Sequence, residues 1–576
     1  MTCILPASQP WEAGRLLAFA GVPGLPPETL KGGYAGLAVG VPEAAVTAPS
    51  PDLATALRAA RGLERVPILR TERRWSADAV DAAVLFLYRE GPLAGSRWLC
   101  VGLERPAPAA DTALASALAA SLRLAQSAVL SDGLRPRFRE RAGHILMDVL
   151  LLARRPSLEP LNLPLRVRVT WAGQTQVDRL VTASLLAPAG TVSECVLVEG
   201  IEVTGNDWQE MDIQADPVEV APTVLGPLRF RLAAREALRL IAEHMVSEAA
   251  DDAKLHGYSF IDNRGMRVLL AAAEILGPKR YQETAHRWGQ AMLREQREDG
   301  GYRMGYGVTS KGEECYVADG GEIAVGIARL AAYSVGRERQ ALLRSLDAYM
   351  RYREEFRVPA GGIGVGWCLQ DYGRRPVVPL ETPTRVYAPE LNPYTIGCSL
   401  AAAYLQARLL GSSRLEEQAA ADGDWLMSRT AALHGAFIES FQYAHALATD
   451  RTQRAVYGDY IGRAFTAKMK EAGAASRSWW LSGGGRSALN LGGMAYVLAR
   501  LGDDPALRAE MMRATCLMFS PDSPESVLTV IRQPGAGHDG WIYVCYGTLG
   551  LVDVIQPVIS MEGLGQARSA GDAPRP

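Results

Sequence analysis

About twelve helical segments follow one another without a break from residue 230 to residue 555. Every second one is preceded by a stretch rich in aromatic, acidic and glycine residues. Segments such as 326–332 and 399–407 are small and apolar on nearly all faces, so they must be packed on both sides. Their neighbours carry Arg, Glu and Gln and need cover on one face only. Alternation of these two kinds of helix predicts six hairpins closed into a double ring, an (α/α)6 toroid. Such a ring gathers the starts of its inner helices around one cavity. Function is therefore expected at six stretches: 260–265, 316–322, 388–394, 434–439, 478–486 and 535–543.

The helices are expected at 230–247, 266–276, 280–295, 322–334, 337–353, 394–410, 415–428, 439–447, 452–470, 488–501, 505–519 and 542–555. With 576 residues the chain is too long for one core, and a multidomain protein is expected. Residues 1–160 read as a mixed α/β accessory domain, with helices at 52–62 and 113–130 and strands at 66–69, 83–88, 98–103 and 144–152. Residues 161–228 read as a small antiparallel β-layer. There 165–171 alternates strictly between apolar and polar, and further strands are expected at 177–186, 195–203 and 208–215. The toroid then occupies 229–558, and a Gly/Pro/Ala-rich flexible tail 559–576.

Bulk properties exclude several classes. The net charge of −2 and the lack of a basic stripe argue against nucleic acid. No apolar run is long enough to cross a membrane, and residues 1–10 do not resemble a secretory signal. The eight cysteines have no metal-binding spacing and read as free thiols of a reducing, cytoplasmic compartment. His434, Glu439 and His445 are spaced too irregularly to share a helix face, so neither a metal nor a cofactor is expected. A homodimer is compatible with the sequence.

The expected stretches are rich in groups suited to sugar chemistry, which needs a proton donor, a base or nucleophile, and flat stacking surfaces. Asp262, Asp319, Glu322, Glu390, Glu439 and Asp539 supply carboxylates, and His538 stands beside Asp539. Tyr302, Tyr306, Tyr316, Tyr394, Trp479, Trp480, Trp541 and Tyr543 supply rings. Arg264, Arg303 and Arg486 have the planar donor geometry to hold a uronate carboxylate. Each has a plainer alternative. Asp262 reads equally as a helix cap, and Asp319 with Glu322 as a capping box. His538 also fits a structural histidine, and the Trp479–Trp480 pair ordinary packing. A phosphate loop at 483–485 lacks the following Lys-Ser/Thr.

The run Ile261-Asp262-Asn263, then Ala272-Ala273-Glu274, Arg280-Tyr281 and Arg297-Glu298-Asp299-Gly300 resembles the unsaturated glucuronyl hydrolases of the six-hairpin glycosidase group. The close match spans about one hairpin, and the architectural likeness spans the helical region. The resemblance implies that Asp262 is proton donor and general base; Asn263 beside it is expected to bind substrate. The family's second Asp, in an earlier hairpin, has no counterpart: Asp251 and Asp252 stand at a different spacing. Its Trp-x-Arg-Gly-Gln segment is replaced by residues 315–322.

The leading expectation is a glycoside hydrolase-like, carbohydrate-active enzyme that cleaves an oligosaccharide, including one bearing uronic acid. Asp262 is the first catalytic candidate, with Asp319 or Glu322 as its partner. A lyase or uronate C5-epimerase would rely instead on Tyr306, His434 and His538. A non-catalytic glycan-binding scaffold is the third reading.

Overall fold

The computed structural model describes residues 35–40, 63–69, 80–88, 97–103, 130–154, 161–185, 192–218, 228–249, 254–305, 313–359, 361–429, 435–474, 489–523, 525–532 and 538–561. The expected helix at 52–62 lies outside them, as does the one at 113–130 apart from Leu130, which begins a strand. The chain divides into two compact units, Met1–Arg137 with Leu146–Arg231, and Leu232–Pro576 with Phe138–Ile145.

The first unit holds most of the β-structure. Strands β1 (Ala35–Gly40), β2 (Leu63–Leu69), β3 (Val80–Tyr88) and β4 (Arg97–Leu103) form a sheet in the order β1-β4-β3-β2, with β1 parallel to β4. β5 (Leu130–Arg141), β6 (His144–Arg154), β7 (Leu161–Trp171), β8 (Gln174–Leu185), β9 (Val192–Glu202), β10 (Glu210–Pro217) and β11 (Leu228–Ala233) follow. They build two sheets, β11-β10-β7-β8 and β5-β6-β9. The alternation read at 165–171 is realised in β7. Leu163, Leu165, Val167, Val169 and Trp171 are buried, and the intervening side chains face outward. β9 pairs antiparallel with β6, so the boundary expected at residue 160 runs between strands of one sheet.

The second unit contains the helices, thirteen among the described residues. They are α1 (Ala234–Glu248), α2 (Ser259–Leu276), α3 (Lys279–Glu295), α4 (Val317–Tyr333), α5 (Gly336–Glu355), α6 (Asn392–Leu410) and α7 (Ser413–Arg429). Then come α8 (Gly435–Leu447), α9 (Arg451–Ala474), α10 (Leu489–Arg500), α11 (Pro505–Phe519), the single turn α12 (Val527–Val530) and α13 (His538–Ile555). α2 packs on α4, α4 on α6, α6 on α8, α8 on α10, α10 on α13, and α13 on α2. This order closes on itself. α3, α5, α7, α9 and α11 each pack on the inner helix before them, and α1 packs on α2 and α13.

Composition explains the two layers. Every residue of α2 from Ser259 to Ala272 is buried, whereas α3 buries one stripe through Tyr281, Ala285, Trp288 and Met292. Among the described residues no helix is long and apolar enough to cross a membrane.

Three differences from the sequence reading matter. Inner helices begin earlier than expected, α2 at Ser259 rather than 266 and α4 at Val317 rather than 322. The stretches read as loops are thus first turns. A small sheet of β12 (Cys315–Tyr316), β13 (Gly366–Asp371) and β14 (Val378–Val386), not foreseen, stands before α6. The tail does not start at 559, because Ile559, Ser560 and Met561 are buried.

The inner ring depends on close backbone approach at Gly321. A Cβ there would lie 2.6 Å from Ser399 Cα and 2.7 Å from the Cys398 carbonyl oxygen on α6. Backbone cannot yield as a side-chain tip can. Gly321→Ala is expected to destabilise the helical unit by about 1–3 kcal/mol. A urea midpoint equal to wild type, followed by circular dichroism, would contradict that contact.

Candidate functional site

Three successive inner helices, α13, α2 and α4, each carry an aspartate in the first turn: Asp539, Asp262 and Asp319. A carboxylate there is favoured by the unpaired N–H groups and the positive end of the helix dipole. The three differ in surroundings. Asp262 is fully buried, and its carboxylate accepts the backbone N–H of His256 at 3.0 Å. It is not the N-cap of α2, a position held by Tyr258 without a side-chain bond. Asp319 is half-buried and Asp539 exposed. Nor do Asp319 and Glu322 form a capping box, since Tyr316 occupies the N-cap of α4.

Below this rim lies a buried charge cluster. Arg264 of α2 is 1% exposed. It reaches Glu322 of α4 at 3.2 Å and Glu439 of α8 at 2.5 Å, and lies 4.2 Å from the centre of the Tyr546 ring on α13. The Tyr546 hydroxyl donates to Glu322 at 3.3 Å. Arg267, one turn along α2, also pairs with Glu439 and donates to the Tyr443 hydroxyl at 3.1 Å. Burial opposes the charge on Arg264, yet Glu322 and Glu439 outweigh it and hold the guanidinium above its ordinary range. Burial would likewise raise the Glu439 carboxyl, but Arg264 and Arg267 pull it down to about 2.

The other expected site residues are distributed as follows. Asn263 is buried, with its amide donating to the Phe260 carbonyl. Tyr302 is 1% exposed; its hydroxyl bonds Ser345 at 2.7 Å and its ring stacks on Tyr349 at 5.5 Å. Arg303 donates to the Glu295 carbonyl at 2.9 Å. Tyr316 donates to Glu314 at 2.9 Å and meets the Tyr372 hydroxyl at 3.1 Å. Tyr394 is half-buried near the start of α6. Trp541 stacks on His244 of α1 at 5.6 Å and is buried. The Tyr543 hydroxyl donates to the Glu525 carbonyl at 2.8 Å. Tyr306, Trp479, Trp480 and Arg486 lie outside the described residues, as do the side chains of Glu390 and His538.

So Arg264, Glu322 and Glu439 are brought together, and Tyr302 and Trp541 are taken up by packing. The sequence reading missed Arg267, Tyr443 and Tyr546. The signal for them was present: Arg264/Arg267 and Glu439/Tyr443 are spaced three and four apart in otherwise apolar inner helices. Polar groups in a helix covered on all sides must find one another.

No family model matches this chain, and no curated protein does. Among solved structures it is similar to a glycoside hydrolase family 9 endoglucanase, at 12% identity and a TM-score of 0.41 over 68% of this chain and 96% of that one. A β-1,2-glucanase from Parabacteroides distasonis aligns at 9% identity and a TM-score of 0.33, over 77% of this chain and 73% of that one. The native α-2-macroglobulin of E. coli aligns at 12% identity and a TM-score of 0.32, over 83% of this chain and 28% of that one. Likeness at this level fixes neither the fold nor the activity of this chain.

Glu439→Gln would leave Arg264 and Arg267 facing each other with one anion fewer. A loss of about 3–5 kcal/mol is expected, because an unpaired buried charge remains. The Glu439 pKa lies below its ordinary 4.5, so the carboxylate's contribution is full above that value and is lost as pH falls from 4.5 through about 2. Wild type should therefore lose more stability than Glu439→Gln between pH 5 and pH 3 in urea titrations. Parallel losses would contradict the pairing.

Proposed function

We propose that the helical unit is an (α/α)6 toroid that takes an oligosaccharide at the N-terminal ends of its inner helices and cleaves it by acid/base chemistry. The observation that carries this reading is the run of first-turn aspartates on α13, α2 and α4, three neighbours in the closed contact order. Glycosidic cleavage needs two carboxyl groups that touch the substrate, one to give a proton and one to take it or to attack. Asp319 and Asp539 retain exposure and flank α2, and in this reading they form that pair. Asp262, buried between them and bound to the His256 N–H, holds the preceding loop in place. Glu322 is tied to Arg264 and Tyr546.

This reading weakens the case for a uronate-specific site. Arg264 is engaged by two protein carboxylates, and Arg303 by the Glu295 carbonyl and by Glu313 at 3.6 Å. A second reading, a glycan-binding scaffold, is favoured by one specific feature: Asp262, Glu322 and Glu439 all point at protein partners.

Incubation of the full chain with a panel of saturated and unsaturated oligosaccharides, followed by chromatography, separates the two. Hydrolysis by wild type and a loss of at least about 100-fold in Asp319→Asn and Asp539→Asn is the expected result. Tight binding without product would favour the scaffold. Full turnover by Asp319→Asn would remove Asp319 from the chemistry, and neither binding nor product would overturn both readings.

A further inference from the structure

The chain turns back after α13, and residues 558–561 are buried. This segment is tied to three inner helices. The Ile559 carbonyl accepts from Arg329 of α4 at 3.1 Å, and the Ser560 carbonyl accepts from the Tyr443 hydroxyl of α8 at 3.1 Å. The Ser560 N–H and hydroxyl donate to the two carboxylate oxygens of Asp553 on α13, at 2.9 and 2.7 Å. Val558 has φ +67°, a left-handed conformation that a β-branched residue keeps only where its surroundings fix it.

The ties continue inward without a gap. Tyr443 accepts from Arg267, Arg267 pairs with Glu439, Glu439 with Arg264, and Arg264 with Glu322. We propose that residues 556–561 form a strap that positions the central Arg264 cluster, and that ionisation of Asp553 loosens it.

Asp553 is enclosed by several elements. Charges reach it from Arg267 of α2 and Arg329 of α4, and the titratable Tyr443 of α8 is bound to the same Ser560. On α10, a Cβ at Gly492 would lie 3.6 Å from the Asp553 Oδ2. Burial pushes the carboxyl up to about 7, against the bonds from Ser560 and the attraction of the two arginines. An open strap lets water reach Asp553 and returns its pKa towards the ordinary 3.8. The closed state therefore holds its full advantage below 3.8, loses it as pH rises through about 7, and is constant above. Opening should increase by up to about tenfold per pH unit across that window.

Hydrogen exchange of the full chain, read by mass spectrometry between pH 5 and pH 8, tests this without any substrate. After correction for the intrinsic chemical rate, opening at 556–561 should rise with pH in wild type and stay flat in Asp553→Asn, which cannot ionise. Peptide 435–447, which holds Glu439 and Tyr443, should follow the strap. A rise confined to 556–561 would overturn the positioning role, and equal profiles in wild type and Asp553→Asn would overturn the proposal entirely. Ser560→Ala keeps Asp553 ionisable and removes one tie. Should Asp553→Asn not fold, Ser560→Ala is expected to show faster opening at every pH with the pH dependence retained. Opening unchanged from wild type would count against the strap.

Discussion

One guanidinium holds the centre of the helical unit. Arg264 starts from α2 and touches α4 through Glu322, α8 through Glu439 and α13 through the face of Tyr546. Apolar packing makes inner helices adhere but says little about their rotation or register, because a helix covered with Ala, Leu and Val fits in several ways. A buried ion has few acceptable partners. Its desolvation cost is offset only when both carboxylates stand in place, so a shifted helix leaves a charge unpaired. Such a cluster adds little net stability over apolar residues of the same shape. Its proposed contribution is to fix which faces of the inner helices look inward.

That constraint bears on the rim. The first-turn aspartates of α13, α2 and α4 lie two to seven residues from the members of the cluster on the same helices. Asp262 sits two residues from Arg264 on the same helix, and Asp319 three residues from Glu322. The graded exposure of the three acids follows from what surrounds them: the backbone at His256 binds the buried Asp262, while Asp539 opens to solvent. Two carboxyl groups in unequal surroundings are what acid/base work requires.

Much of the architecture was legible in the sequence. Alternation at 165–171 gave β7, and all-round apolar segments separated inner helices from outer ones. α11 was read at its observed bounds. The starts of the inner helices α2, α4, α8 and α13 were not legible. Phe260-Ile261-Asp262-Asn263-Arg264-Gly265 has the composition of a turn, but ring packing buries every one of these side chains and tertiary contact overrides propensity. β14 was hidden by Pro379 and Pro383, which an edge strand tolerates. Of the buried charge cluster, Arg264, Glu322 and Glu439 were singled out in the sequence and Arg267, Tyr443 and Tyr546 were not. The acids and Arg264 were found because they are rare in apolar surroundings. Tyr302 and Trp541 were taken for ligand platforms, since an aromatic ring stacked on Tyr349 or His244 looks the same in sequence as one awaiting a sugar.

Glu322 and Glu439 meet at a single shared arginine, Arg264. A double-mutant cycle of Glu322→Gln and Glu439→Gln, with unfolding free energies from urea titration, measures that directly. Sharing predicts a coupling energy of about 1 kcal/mol or more between residues on α4 and α8. Strict additivity of the two substitutions would contradict the account.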